Sequence, residues 1–148
     1  MEAVIFTGIQ GSGKSTFYRE RFFDTHVRIS LDLLKTRYRE RLFVEACVRT
    51  GQRFVVDNTN PRVEDRAPYI AAAKQAAFRV AGYYFETTIR DALRRNSKRV
   101  GGAVIPVPGV IGTFKRLQRP TWGEGFDELY TVTHGENDAF EVVAEARP

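Results

Sequence analysis

The stretch Gly8-Ile9-Gln10-Gly11-Ser12-Gly13-Lys14-Ser15 decides the fold of this 148-residue chain. It fits the pattern G-x-x-x-x-G-K-[ST], in which glycines let the backbone curl so that successive N–H groups point at phosphate oxygens. An apolar run, Ala3-Val4-Ile5-Phe6, precedes the stretch, and a helical pattern follows it. A strand before the loop and a helix after it are the context that a phosphate-binding P-loop requires. The stretch therefore predicts a nucleoside-triphosphate site.

The residue types in this loop predict how a nucleotide is held. We expect Lys14 to reach the β- and γ-phosphates of ATP and the Ser15 hydroxyl to hold Mg²⁺. A glycine-rich turn that matches the pattern by chance is the alternative, and the flanking strand and helix argue against it. The residues expected to bind the nucleotide are Gly8, Gly11, Ser12, Gly13, Lys14, Ser15 and Thr16.

Outside the loop, strand patterns alternate with helix patterns. Strands are predicted at residues 3–7, 27–29, 54–56, 79–85 and 129–133, and residues 140–144 can pair beside the last of them. Helices are predicted at residues 14–23, 31–50 and 109–118, from Pro61 onward, and after a cap at Thr87 or Thr88. The apolar positions that indicate the 31–50 helix are Leu31, Leu34, Tyr38, Leu42, Ala46 and Cys47. This alternation predicts one α/β domain over residues 1–148, with a five-stranded parallel sheet and helices on both faces.

The composition is that of a soluble globular protein, with 43% hydrophobic and 28% charged residues. The chain has no apolar run of about 18 residues, so no membrane-spanning helix is expected. The first strand begins directly at the N-terminus, which leaves no room for a signal peptide. The lone Cys47 is expected to be a buried thiol. These features favour a cytoplasmic protein without a membrane partner.

Two aspartates follow strands whose carboxyl ends should meet at the P-loop edge of the sheet. Asp57 closes the apolar run Phe54-Val55-Val56 and is expected to orient the Mg²⁺ shell or to hold Ser15. An Asx turn at Asp57 is the structural alternative. Asp32 lies in the first turn of the next helix, where it can accept a proton from an attacking hydroxyl or merely complement the helix dipole. Lys35, three residues later, is expected on the same helical face, in reach of an acceptor phosphate.

Basic residues concentrate in one segment of the chain. Eight arginines and lysines and one aspartate lie between Arg90 and Arg119, although the whole chain carries a net charge of only +5. The remaining residues are therefore net acidic, which indicates a local site for a polyanion. Arg90, Arg94 and Lys98 recur every four residues, as do Arg95 and Arg99. We expect this helix to be an arginine-rich lid over the polyphosphate, although a solvated basic face would show the same spacing.

Four blocks occur in a familiar order: Gly8 to Thr16, Ser30-Leu31-Asp32-x-x-Lys35, Asp57-Asn58-Thr59-Asn60-Pro61, and Arg95-Asn96-Ser97-Lys98-Arg99. Together they resemble the 5′-hydroxyl polynucleotide kinases, and the tail Pro120-x-x-x-Glu124-Gly125-Phe126 resembles the end of that kinase module. The resemblance spans nearly the whole chain. It implies transfer of the γ-phosphate of ATP to the 5′-OH end of DNA or RNA.

The resemblance also implies residue roles. Asp32 would activate the 5′-OH, Lys14, Arg95 and Arg99 would stabilise the transferring group, and Asp57 would support the metal site. The phage member of the family has arginine where this chain has Lys35. Family members carry a phosphatase or other repair domain, so a phosphatase or ligase is expected here as a separate partner. Two rival hypotheses are a kinase for a small-molecule hydroxyl (a sugar, nucleoside or antibiotic) and a nucleotide-binding module without transfer activity.

Overall fold

A six-stranded sheet with the order β2-β3-β1-β4-β5-β6 forms the centre of the computed structural model, which describes residues 1–148. Its strands are β1 (Glu2–Thr7), β2 (Val27–Ile29), β3 (Phe54–Val56), β4 (Arg79–Phe85), β5 (Glu128–His134) and β6 (Phe140–Ala144). The first five strands are parallel, and β6 pairs antiparallel with β5. The predicted α/β fold with five parallel strands is confirmed, and residues 140–144, which the sequence allowed to pair beside the last of these, form the sixth strand at the edge.

Side chains of β1 pack on both faces of the sheet, since successive side chains of a strand point to opposite sides. Ala3 and Ile5 pack in one buried cluster, and Val4 and Phe6 pack in the other. Burial on both faces is typical of a central parallel strand and explains the unbroken apolar run in the sequence.

Six helices surround the sheet. They are α1 (Lys14–Arg21), α2 (Leu31–Leu34), α3 (Arg37–Thr50), α4 (Val63–Gln75), α5 (Ile89–Ser97) and α6 (Val107–Arg116). Helix α1 covers one face through Phe17 and Tyr18, whereas α3 and α4 cover the other through residues such as Cys47 and Ile70. Cys47 is buried, as predicted. None of these helices is both long and apolar enough to span a membrane.

The predicted 31–50 helix is wrong as a single element, because the chain breaks it at Lys35. Lys35 adopts a φ of 72°, and the Thr36 side chain then caps a new helix by accepting the backbone N–H of Arg39. The restart changes which residues face the core. Val44 and Cys47 are buried, while Tyr38 and Leu42 of the predicted apolar face are exposed.

Two other helix boundaries differ from the predictions. Helix α4 begins at Val63 instead of Pro61, because Asn60 has a φ of 43° and the Asp65 carboxylate accepts the Arg62 N–H at the helix start. Helix α6 begins at Val107, two residues earlier than predicted. The cap of α5 is confirmed at Thr88, whose hydroxyl accepts the backbone N–H of Asp91.

Candidate active site

The carboxyl ends of β1, β2 and β3 open into a polar cleft of about 380 Å³. Parallel α/β sheets place their ligand sites at this edge. The cleft brings together most of the side chains that the sequence singled out: Lys14, Ser15, Asp32, Asp57 and Arg99. The predicted convergence of the P-loop and the two aspartates is therefore seen in the structure, while the chemical roles of these residues remain predictions.

The P-loop has the backbone geometry of an anion cradle. Gly11 and Gly13 have φ values of 79° and 94°, which side chains other than glycine rarely adopt. The Gly8 N–H donates to the Thr59 carbonyl at 3.0 Å, whereas the N–H groups of Gly13, Lys14 and Ser15 find no acceptor within the chain. Unpaired N–H groups at a helix start attract phosphate oxygens. The loop thus fits the polyphosphate of a nucleotide.

Two further observations support this fit. The Ser12 hydroxyl is buried in the loop without a hydrogen-bond partner. A Cβ atom on Gly11 would collide with the backbone carbonyl of Ala92 in α5, so the loop and the basic helix are in direct contact. The Ser12 hydroxyl is thus free to bond a ligand, and Gly11 cannot be replaced by a larger residue without moving α5.

Lys14 is nearly buried at the floor of the cleft. Its Nζ donates to the carbonyl oxygens of Gly8 and Ile9, each at 2.9 Å. Burial lowers the pKa of Lys14 to about 8; the Arg99 charge also lowers this pKa, and the Asp57 and Asp32 carboxylates oppose the shift. At neutral pH the side chain is therefore still charged and points into the loop that would hold the phosphates.

Asp57 contacts the P-loop rather than its own turn. Its Oδ2 accepts the Ser15 hydroxyl at 3.0 Å and the Arg28 Nε at 2.8 Å, and its side chain is only 2% exposed. The Asx-turn alternative is not what the structure shows. A hydroxyl and a carboxylate at the P-loop helix suit Mg²⁺, which prefers oxygen ligands. Ser15 and Asp57 are the side chains that would hold it, and the ion would supply positive charge that stabilises the charge developing in phosphoryl transfer.

The protein itself supplies few metal ligands here. No group of three or more His, Cys, Asp or Glu side chains in the described chain is placed to hold a metal ion. A magnesium ion in this cleft would depend on phosphate oxygens and water for the rest of its shell, which is the usual arrangement for Mg²⁺ bound with a nucleotide.

Asp32 is exposed in the first turn of α2 and lines the cleft. The turn after β3 holds this helix start, because Asn58 Oδ1 accepts the Leu31 N–H at 2.9 Å. Asn58 Nδ2 in turn donates to Glu40 Oε2 at 2.8 Å, and the Tyr69 hydroxyl donates to the other oxygen of Glu40. The Asp32 backbone is thus fixed by a buried network that the sequence did not reveal. The sequence offered one sign of this network: Glu40 is a charged residue at helical spacing from the apolar Val44 and Cys47.

Lys35 does not lie where the sequence placed it. Because α2 ends before Lys35, this residue shares no helical face with Asp32, and it is not among the residues that line the cleft. Three further arginines line the cleft: Arg37, Arg62 and Arg116. Arg116 belongs to the basic segment between Arg90 and Arg119, whereas Arg37 and Arg62 come from distant parts of the chain and were not predicted.

The two sets of basic residues that recur every four positions, in and just after α5, differ in exposure. Arg90, Arg94 and Lys98 are exposed to solvent, whereas Arg95 and Arg99 are half-buried. Arg99 lines the cleft and donates to the Ala103 carbonyl at 3.3 Å. Arg95 instead donates to the Thr87 hydroxyl at 3.3 Å and to Asp138 at 3.4 Å. Only Arg99 of the predicted pair is therefore in the cleft.

Contacts fix the segment after α5 against the P-loop. Asn96 is buried, and it donates to the Ile105 carbonyl at 2.6 Å and accepts the Ile105 N–H at 3.0 Å. From α6, Thr113 accepts a hydrogen bond from the Gln10 amide at 3.1 Å. The segment predicted to be a lid is thus packed against α5 and joined to the P-loop, and its role over a nucleotide stays a prediction.

A buried ion pair supports the far wall of the cleft. Arg66 is fully buried and donates to both carboxylate oxygens of Glu124, at 2.7 and 3.0 Å. Its remaining guanidinium nitrogen donates to the carbonyls of Asn60 and Gln118. Arg66 thereby anchors the loop that leads from Asp57 into α4, and no pattern in the sequence distinguished it from exposed arginines.

A family model described as an AAA domain matches residues 34–108, about half of the chain. Among curated proteins, the chain is similar to an Acanthamoeba polyphaga mimivirus protein assigned as a bifunctional polynucleotide phosphatase/kinase, with 31% identity over 139 residues. It is also 27% identical over 135 residues to the bifunctional polynucleotide phosphatase/kinase of Schizosaccharomyces pombe. These matches cover 89% and 88% of the chain but only 33% of each relative, so the chain spans about one third of their length.

Solved structures with low sequence identity share the fold. A gluconokinase from Sinorhizobium meliloti 1021 superposes with a TM-score of 0.64 at 16% identity, covering 89% of this chain and 82% of that one. The AvrRxo1-ORF1:-ORF2 complex with ATP gives a TM-score of 0.71 at 15% identity, covering 96% and 57%. The resemblance to polynucleotide kinases noted in the sequence is confirmed. The chain belongs to the AAA-domain family.

Proposed function

We propose that this domain transfers the γ-phosphate of ATP to the 5′-OH end of DNA or RNA. The observation that carries the proposal is the cleft itself, whose lining includes both Lys14 of the P-loop and Asp32. An attacking hydroxyl held between them would have a base beside it and the γ-phosphate in front of it. The similarity to two proteins named polynucleotide phosphatase/kinase supports the choice of acceptor.

In this proposal each side chain has one task. The P-loop amides and Lys14 bind the triphosphate, and Ser15 and Asp57 hold Mg²⁺. Asp32 accepts the proton of the 5′-OH as its oxygen attacks the γ-phosphorus, and ADP leaves. Arg99 neutralises charge on the transferring group from the lid side. Arg95 contributes less than its place in the motif implies, because it is engaged with Thr87 and Asp138.

The charge of the acceptor side favours a phosphate-bearing substrate. Arg37, Arg62 and Arg116 line the same cleft as Asp32, and all three are exposed. Guanidinium groups bind phosphate in a forked geometry, so these arginines can hold the backbone of a nucleic acid end. We propose that they do the work that the sequence assigned to Lys35.

A small-molecule hydroxyl is the second candidate acceptor. The cleft volume of about 380 Å³ is that of a small-ligand site, and the gluconokinase shows that the fold also occurs in a small-molecule kinase. Of the three arginines in the cleft lining, Arg37 is paired with Glu40 and Arg62 with Glu64. Their positive charge still favours an anionic acceptor over a neutral sugar.

Transfer of labelled γ-phosphate from ATP tests the proposal. The assay compares short 5′-OH DNA and RNA oligonucleotides with the same sequences bearing a 5′-phosphate and with a panel of nucleosides and sugars. We expect label on the 5′-OH oligonucleotides alone. Label on nucleosides or sugars alone would replace the proposal with the small-molecule kinase, and nucleotide binding without any transfer would favour the module without transfer activity.

Salt dependence gives an independent test of the acceptor. If arginines bind backbone phosphates, the acceptor binding constant should fall as salt concentration rises. On a single strand, the slope of its logarithm against the logarithm of salt concentration should be about −0.7 for each phosphate contact. An acceptor affinity that stays flat from low to physiological salt would contradict a polynucleotide acceptor. A phosphatase or ligase acting with this domain is proposed only as a separate or adjoining unit, by analogy with the names of the relatives.

A further inference from the structure

An arginine contacts both groups that suit the magnesium ion. Arg28 lies in the middle of β2, and its Nε donates to Asp57 Oδ2 at 2.8 Å while its Nη2 donates to Ser15 Oγ at 3.1 Å. The Ser15 hydroxyl donates to the same Asp57 oxygen at 3.0 Å. The three side chains therefore form a closed triangle in which a fixed positive charge lies against the two oxygens of the metal site.

The triangle is partly buried, which strengthens the effect of the Arg28 charge on Ser15 and Asp57. The Asp57 side chain is 2% exposed and that of Arg28 is 28% exposed, so water screens the pair only in part. Arg28 is not among the residues that line the cleft, and it acts on the cleft through Ser15 and Asp57. Its role is thus distinct from that of Arg99, which faces the cleft directly.

A divalent cation and a guanidinium compete for such oxygens. The hydrogen bond from Arg28 occupies a lone pair of Ser15 Oγ that could otherwise coordinate a metal ion. The ion pair with Arg28 also offsets the negative charge of the Asp57 carboxylate. Two positive charges a few ångströms apart also repel each other. A triphosphate brings about four negative charges, which offset this repulsion and supply further oxygen ligands.

We propose that Arg28 is a positioning residue that lowers the affinity of Ser15 and Asp57 for a free divalent cation, so that the cation enters the cleft only together with the triphosphate. The inference rests on the proposed function only in that the cation and the nucleotide are bound at this P-loop. Arg28 keeps the two metal ligands together and prevents a bare ion from occupying them first.

Electron paramagnetic resonance of Mn²⁺, titrated into the protein without nucleotide or acceptor, tests this inference. Arg28→Gln removes the charge and keeps an amide that can still bond Asp57. We expect it to bind Mn²⁺ about tenfold more tightly than the unchanged protein, or more. Arg53→Gln is the matched control, because it removes the same charge from an exposed residue just before β3, away from the cleft. Its Mn²⁺ affinity should match that of the unchanged protein.

A second variant identifies the site of the gained ion. Adding Asp57→Asn to Arg28→Gln should abolish the gain, because the carboxylate that the ion would bind is lost. If the double variant retains the gain, the ion binds elsewhere and the inference is overturned. The inference is equally overturned if a folded Arg28→Gln protein, checked by circular dichroism, binds Mn²⁺ no better than the unchanged protein.

Arg28→Met covers the case in which the glutamine variant fails to fold. A methionine is an unbranched apolar side chain, and it removes both the charge and the hydrogen bonds to Ser15 and Asp57. We expect it to bind Mn²⁺ about tenfold more tightly than the unchanged protein, and an affinity equal to that of the unchanged protein would overturn the inference. Since these titrations contain neither ATP nor an acceptor, they fail or succeed independently of the transfer assay.

Discussion

Asn58 Oδ1 accepts the backbone N–H of Leu31 at 2.9 Å and so joins the turn after β3 to the first turn of α2, one residue before Asp32. The same amide donates to the buried carboxylate of Glu40. Leu31 and Asn58 are 27 residues apart in the sequence, yet their contact determines where the proposed base Asp32 can lie. The turn that contains Asp57, the proposed metal ligand, therefore also positions Asp32, the proposed base.

Asn58→Ala should lower kcat without changing the affinity for nucleotide. Loss of the Leu31 contact frees the first turn of α2, and a misplacement of about 1 Å at a reacting group costs up to about a hundredfold in rate. Steady-state kinetics with parallel ATP binding measurements check this. An equal loss in kcat and in ATP affinity would show instead that the P-loop itself has been disturbed.

The affinity for ATP should decrease as pH rises above about 8. Because burial lowers the pKa of Lys14 to about 8, the ligand-free side chain loses its charge above that pH, while the bound phosphates favour the charged form. ATP binding must then take up a proton, and the dissociation constant should rise up to about tenfold for each pH unit.

Calorimetric titrations between pH 7 and 9.5, in two buffers of different ionisation enthalpy, measure this proton uptake directly. Lys14→Arg serves as the control, since a guanidinium stays charged over the whole range and should remove the dependence. An affinity of the unchanged protein that is constant up to pH 9.5 would contradict the assignment.

Arg99→Ala should reduce kcat by about a hundredfold or more, because Arg99 is the lid arginine that lines the cleft. Arg95→Ala should have a smaller effect, since that side chain is bonded to Thr87 and Asp138. Arg94→Ala is the matched control: its partner is Asp91, and it is exposed. Single-turnover rates of phosphate transfer rank the three, and a larger loss for Arg95 than for Arg99 would contradict the placement of α5.

Arg66→Met should destabilise the fold by about 3–5 kcal/mol, because it leaves the Glu124 carboxylate buried without its partner. Arg79→Met removes an arginine that pairs with Glu2 and Glu128 at the exposed end of the sheet, and its cost should be at most about 1 kcal/mol. Unfolding in urea gives both free energies. Similar values for the two variants would refute the role given to the buried pair.

The sequence predicted the parts of this molecule that depend on local pattern. The loop from Gly8 to Ser15, the buried strands and the Thr88 cap all follow from neighbouring residues, and each was predicted correctly. The sheet order then brought Asp32 and Asp57 to the P-loop, because parallel strands share one carboxyl edge.

Features that depend on contacts across the fold were missed. The break at Lys35 leaves no mark in the apolar spacing, so the predicted 31–50 helix had the wrong buried face. Arg28, Glu40 and Arg66 look like ordinary charged residues in sequence, and their partners Asp57, Asn58 and Glu124 lie 29, 18 and 58 residues away. Arg37 and Arg62 were missed for the same reason, because only the fold brings them to the cleft.

The rate of γ-phosphate transfer to a 5′-OH oligonucleotide by Asp32→Asn tests the central claim most directly. The substitution keeps the size of the side chain and removes its ability to accept a proton. We predict that kcat falls by about 10²–10⁴-fold while ATP affinity, measured on the same preparation, stays unchanged. If Asp32→Asn transfers phosphate at nearly the rate of the unchanged protein, Asp32 is not the base and the account of this cleft is wrong.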